Sequence, residues 1–168
     1  GSFTAVGGET RYRVAAVDVA TGALSALNVG TNASVYGMVA TDDALYLTGG
    51  FSTINNVARA RIGAVSTTTG KLLPFNAVLS GTGVGRSIVI SPDHGKVVVA
   101  GSFERTNGNT NPGAGIAALD AVSGASLSWA MNAVIRNTGA YRRVMGLSAD
   151  ESGVYGTAFS GSSLGLEG

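Results

Sequence analysis

The side chains whose type and spacing could do chemistry are few, and most of them recur along the chain. Arg11 and Arg13 form an Arg-x-Arg pair that returns 48 residues later as Arg59 and Arg61, and Tyr141-Arg142-Arg143 adds a further cationic spot. Guanidinium groups at equivalent places of a repeated structure could line one rim and bind an anionic sugar or a partner's carboxylate, which their planar fork matches bidentately. The competing role is structural, an arginine that pairs with an acid or caps carbonyls and so ties one unit to the next. Asp18 and Asp120 stand three residues before Thr21 or Ser123 and four before a glycine. So placed, each closes its own turn by accepting backbone N–H groups, a reading preferred to metal ligation. Asp42-Asp43, Asp93 and Asp150-Glu151 fall in turns that lack the alternating oxygen ligands of a calcium loop.

The remaining candidates are weaker. His94 lies in the turn Ser91-Pro92-Asp93-His94-Gly95 with no second base or ligand nearby. Gly81-Thr82-Gly83-Val84-Gly85-Arg86 is similar to a phosphate-cradling loop only loosely, because it leads into a strand and lacks the closing Gly-Lys-Ser/Thr or third glycine. The chain has no cysteine and one histidine, which removes disulfides, thiolate metal sites and multi-histidine sites. No catalytic, cofactor-binding or metal-ligating set is therefore expected. Eleven basic against ten acidic residues leave a net charge of +1, too small a field to drive nucleic-acid binding. Apolar runs such as Val97-Val98-Val99-Ala100 are far shorter than a membrane-spanning helix, so membrane insertion by this segment is not expected either.

These residues must be held by elements that repeat. Gly1-Ser2-Phe3-Thr4 returns as Gly49-Gly50-Phe51-Ser52, as Gly101-Ser102-Phe103-Glu104 and, altered, as Thr157-Ala158-Phe159-Ser160. The four phenylalanines are 48, 52 and 56 residues apart. A second block, Arg13-Val14-Ala15-Ala16-Val17-Asp18, matches Arg61-Ile62-Gly63-Ala64-Val65-Ser66 and Gly115-Ile116-Ala117-Ala118-Leu119-Asp120. Thr21-Gly22, Thr69-Gly70 and Ser123-Gly124 follow at a fixed offset, and an apolar stretch then ends near Leu27, Phe75 or Trp129. With 26 glycines, roughly twice the usual share, and no window of helical period, the chain reads as all-β. Each unit predicts four strands, at 35–41, 44–51, 61–66 and 71–76, and again at 85–91, 96–103, 115–120 and 125–130.

Four strands in about 50 residues, closed by a glycine-aromatic landmark, describe one blade of a β-propeller. Phe3, Phe51, Phe103 and Phe159 are then wedges between neighbouring blades, since a lone four-stranded sheet cannot cover both apolar faces. The chain divides into the end of one blade at 1–28, blades at 35–76 and 85–130, and half a blade at 143–168. Propellers close with four to eight blades, whereas 168 residues supply about 3.4 units. The expectation is a partial propeller, a fragment of a six- to eight-bladed ring completed by further blades of the same polypeptide or of a partner chain.

Over nearly its whole length the sequence resembles secreted, repeat-rich β-propeller proteins of bacteria, of the actinobacterial type. Those proteins combine Gly-Gly-x-Phe, Arg-hydrophobic-Ala-Ala-hydrophobic-Asp, Thr-Gly and Trp-x-Pro. Ser66 replaces the block's Asp, Pro74 precedes Phe75, and Leu27 stands where an aromatic is usual. Kelch-like propellers are more distantly similar, without their spaced Tyr and Trp. Quinoprotein-like propellers share the run from Ala118 to Gly124 followed by Trp129, which sits one residue too far along, and their adjacent cysteine pair is absent. The resemblance implies an extracellular or cell-surface protein whose propeller is a non-catalytic scaffold for a protein or glycan. The alternative is part of an enzyme acting on polysaccharide or using a redox cofactor, with its catalytic residues outside this segment.

Overall fold

The computed structural model describes residues 1–110, 114–130 and 143–159. Over these the chain is all-β, and it holds no helix long and apolar enough to cross a membrane. It opens with a minimal hairpin of β1 (Ala5–Val6) and β2 (Glu9–Thr10). Next, β3 (Val35–Ala40) and β4 (Ala44–Gly49) pair across the Asp42-Asp43 turn. A second minimal hairpin, β5 (Thr53–Ile54) and β6 (Val57–Ala58), leads into β7 (Ile62–Ser66), which completes a sheet of order β3-β4-β7. After β8 (Leu79–Ser80) the plan returns with β9 (Gly85–Ile90), β10 (Lys96–Gly101), β11 (Arg105–Thr106) and β12 (Ile116–Asp120). The order of that sheet is β9-β10-β12, all antiparallel, and β8 pairs with β11. A last hairpin joins β13 (Arg143–Asp150) to β14 (Gly153–Phe159). No sheet closes on itself among the described residues.

The fourth strands expected at 71–76 and 125–130 shrink to one bridge each, Leu72 with Val65 and Ser126 with Leu119. Two backbone bonds flank each bridge, such as Ser66 N–H to Lys71 O and Leu73 N–H to Ala64 O. Pro74 then removes a donor and stops the first of them. Leu24 makes the same bridge to Val17.

In each strand pair that begins a sheet one residue is left out of register: Tyr36 in β3, Arg86 in β9 and Met145 in β13. A bulge bends and twists its strand. Glycine permits the tight crossing behind it, because a Cβ on Gly49 or Gly101 would overlap the carbonyl oxygen of Ser34 or Val84. Aligned on the bulge, Phe159 pairs with Arg143 and takes the place of Gly50 and Ser102, one residue before that of Phe51 and Phe103.

Packing follows from the two-residue period of a strand, which sends alternate side chains to opposite faces. From β4, Ala44 and Tyr46 enter one apolar layer while Leu47 enters another with Val14, Val29, Phe51 and Val65. From β10, Val97 and Val99 enter the layer shared with Tyr46, and Val98 and Ala100 enter a third with Val144. Each three-stranded sheet therefore lies between two apolar layers. Sheets approach most closely at their first strands, β3 against β9 and β9 against β13, and no comparable contact joins β7 to β12. Phe75, Ala77 and Phe103 fill the wider side.

Candidate functional site

The Arg-x-Arg pairs fold alike, and their two members do different things. The backbone N–H of Arg13 donates to Phe3 O, and that of Arg61 to Phe51 O, with both residues in the left-handed region at φ 72° and 68°. Gly115, which donates to Phe103 O, holds the third such place at φ 77°. The Arg13 guanidinium donates from Nη1 to Thr31 O at 2.5 Å, and the Arg61 Nη1 donates to Gly81 O at 2.8 Å and Leu79 O at 3.4 Å. Both reach the segment that leads into the next sheet. Arg11 is buried, donating to Thr10 O at 2.9 Å and Ser25 O at 3.2 Å with the Glu9 carboxylate 4.0 Å away. Arg59 donates to Ala58 O at 2.8 Å, and the Nε of each of these two is buried without a partner among the described residues. Arg143 pairs through its backbone in β13, and Tyr141 and Arg142 lie outside the described residues.

Asparagines fix the same junctions. Asn55 sits at φ 50° in the β5–β6 hairpin and Asn107 at 51° in the turn closed by the Thr106–Asn109 bridge, followed by Asn56 at 63° and Gly108 at 84°. Gly7 and Gly8 hold the corresponding turn of the first hairpin. Two consecutive positive φ values are what a two-residue hairpin of matching twist requires. The Asn107 Oδ1 accepts Val78 N–H, and its Nδ2 donates to Gly124 O and Ser126 Oγ. Asn55 repeats this, accepting Gly30 N–H and donating to Gly70 O. Each amide ties its hairpin both to the incoming segment and to the turn that ends its own sheet.

The acids close turns. Asp18 accepts Thr21 Oγ1 and N–H, both at 2.7 Å, and Asp120 accepts Ser123 Oγ and N–H, both at 2.7 Å. These hydroxyls, and then the N–H groups, hold both carboxyls below the ordinary range. At Ser66 the hydroxyl does the same work, taking Thr69 N–H at 3.1 Å. Asp93 is pulled down to about 2, first by Ser91 Oγ, then by Gly95 N–H and Lys96. His94 occupies that exposed turn at φ 54°. The glycine-rich loop at 81–86 already holds an anion of its own: Glu104 accepts Thr82 Oγ1 at 2.6 Å and Thr82 N–H at 3.1 Å. No group of three or more His, Asp or Glu side chains able to hold a metal occurs among the described residues.

At the junction ahead of β3 the surface opens into a cleft of about 470 Å³, lined by Tyr12, Arg13, Asn28, Asn32, Asn55 and Asn56 among others. Antiparallel bridges from Arg13 to Gly30 and from Thr31 to Ile54 bring its three segments side by side. Asn32 holds the floor, its Oδ1 accepting Ser52 and Thr53 N–H and its Nδ2 donating to Ser52 Oγ. The Tyr12 side chain lies against Gly30, where an added Cβ would sit 3.5 Å from the Tyr12 Cβ, and it stays about half exposed. The Tyr12 hydroxyl and the Asn28 and Asn56 amides have no hydrogen-bond partner among the described residues.

No family model, curated protein or solved structure matches this chain. Its site is therefore read from its own geometry. Of the arginines singled out by spacing whose side chains are described, Arg13 is the one that lines the cleft. Spacing alone misses the tyrosine and asparagines, whose signals were present: Gly7-Gly8, Asn55-Asn56 and Asn107-Gly108 are hairpin dipeptides at the same place in each unit. Trp129 lies half-buried against the layer containing Val98 and Val144.

Proposed function

We propose that this chain is part of a β-propeller that acts as a non-catalytic binding scaffold. The observation that carries this reading is a contrast between equivalent side chains on the inner and outer faces of the stack. Val65 and Leu119 are fully buried against the preceding layer, whereas Val17, at the same place in its unit, is 55% exposed. Tyr46 and Val98 are buried against the following layer at 5% and 3% exposed, whereas Tyr155, at the same register in β14, is 54% exposed. Both outer faces thus keep the side chains of an inner face, and further sheets of the same kind would cover them. Close packing at the first strands, with no comparable contact between β7 and β12, supports a radial stack, which turns back on itself. The remaining blades, in the same polypeptide or a partner chain, are the first partners.

A rigid disc built this way presents junction loops to a protein or glycan, and Asp18, Asp93, Asp120 and Asp150 are engaged in closing turns rather than poised as an acid and base pair. Electron microscopy of the full chain in the assembly it forms tests the ring: discs with a central opening are expected, and open rods of stacked sheets overturn it. Incubation with a glycan library tests the scaffold role. Glycans retained and recovered intact are expected, whereas shortened or oxidised products show an enzyme.

A further inference from the structure

We infer that the cleft at Tyr12 and Arg13 is a binding site for a carboxylated saccharide, such as a short hexuronate chain. The inference rests on the scaffold reading and names the ligand class of one of its surfaces. Size comes first, since a cleft of about 470 Å³ lies within the range of roughly 300–1,000 Å³ typical of small-ligand sites. The chemistry of its lining is selective. Asn28 and Asn56 each offer a donor and an acceptor, which matches vicinal hydroxyls that both give and take hydrogen bonds. Tyr12 offers a half-exposed aromatic ring beside them, an amphipathic surface for a sugar ring that is apolar on its faces and polar at its edge. The Arg13 guanidinium spends Nη1 on Thr31 O and has no other partner among the described residues, so the rest of its fork remains for an anion. None of the nine lining residues is acidic. A neutral sugar would leave that guanidinium unanswered.

The site is also pre-formed. Asn32 and Asn55 are locked to backbone groups on both walls, so little ordering remains to oppose binding. The next junction shows what the cleft adds to the shared framework. There Ala60 stands at the place of Tyr12, Ser80 at that of Asn32 and Gly108 at that of Asn56, while Arg61 keeps the carbonyl tie. The arginine and its carbonyl tie are present at both junctions, whereas the later one is built without the tyrosine and the second asparagine. Their presence at the first is what ligand binding accounts for.

Because the later junction folds with those residues, Tyr12→Ala and Asn56→Gly are variants that keep the framework, and thermal melting confirms that they do. Calorimetric titration of the full chain with tetragalacturonate, its methyl ester and a tetraglutamate peptide then decides. We expect the acid sugar to bind, the ester to bind roughly tenfold or more weakly through loss of the charged pair, and the peptide not to compete. Tyr12→Ala and Asn56→Gly should each weaken the acid sugar about tenfold, and Arg61→Gly should leave it unchanged. Equal affinity for acid and ester, tighter binding of the peptide, or insensitivity to both cleft variants overturns the inference. If the cleft fails in this way while the glycan library still yields intact ligands, the scaffold reading stands. An empty library overturns the inference and leaves a protein as the scaffold's partner.

Discussion

At residue scale, left-handed backbone separates what a position must do from what its side chain adds. Arg13, Arg61 and Gly115 share one conformation. In it an L residue costs about 1–2 kcal/mol, and hydrogen bonds from a charged donor return about 1.5–3 kcal/mol. Arg61→Ala keeps the strain and loses both carbonyl bonds, so it should destabilise by about 1.5–3 kcal/mol. Arg61→Gly loses the same bonds but relieves the strain, less about 0.5–1 kcal/mol of added chain entropy. Chemical denaturation should therefore find the glycine variant more stable than the alanine variant by about 1 kcal/mol. An alanine variant as stable as the glycine one would show that the left-handed geometry carries no such cost. The 48-residue spacing of the arginines was legible in the sequence, as was the turn chemistry of Asp18 and Asp120. The division of labour was not, because the burial of Arg11 depends on Ser25, 14 positions away, and the cleft position of Arg13 on its bridge to Gly30, 17 positions away.

At the scale of elements, the long strands announce themselves and the short ones do not. β3, β4, β9 and β10 carry runs of Val, Leu and Ile bounded by turn residues, and these were readable. β10 has five consecutive buried residues from Val97 to Gly101, as a strand covered on both faces must. The hairpins of β1 with β2 and β5 with β6 have two residues per strand, too few to show any period. The fourth strands failed as strands because one bridge sufficed and Pro74 ended the first. Phenylalanine at the strand-to-hairpin corner is a stronger landmark, yet its weight depends on what covers it. Phe103 and Phe51 are 0% and 1% exposed, and Phe3 is 36% exposed. Truncation to alanine should cost about 3–5 kcal/mol at Phe103 or Phe51. At Phe3 in the isolated chain the same change should cost less than about 1.5 kcal/mol, the side chain being only partly removed from water. In the assembled protein, where a further blade would cover Phe3, urea melts should find the losses at Phe3 and Phe103 equal, and a persistent difference there would count against the ring.

For the whole molecule the decisive quantity is how far protection extends from the central sheets. The amides of β10 are paired to β9 on one side and β12 on the other, with an apolar layer over each face. They open only when both layers are lost, so their hydrogen exchange should track global unfolding. Among the described residues β14 pairs with β13 alone, and the backbone pairing of the segment from Val14 to Val17 is limited to the Leu24 bridge. If the stack ended at these faces, their amides should exchange at least about a hundredfold faster than those of β10, as edges opening locally do. If further blades complete a ring, β14 gains a second neighbour, Val17 and Tyr155 are covered, and the gradient disappears. Nearest-neighbour coupling makes this an all-round effect, because in a stack of similar units each interface supports the next. Uniform protection across β14, β10 and residues 14–17 is thus the expected result for the assembled protein. A steep fall from β10 toward both outer faces in that same assembly would mean that the sheets form an open stack.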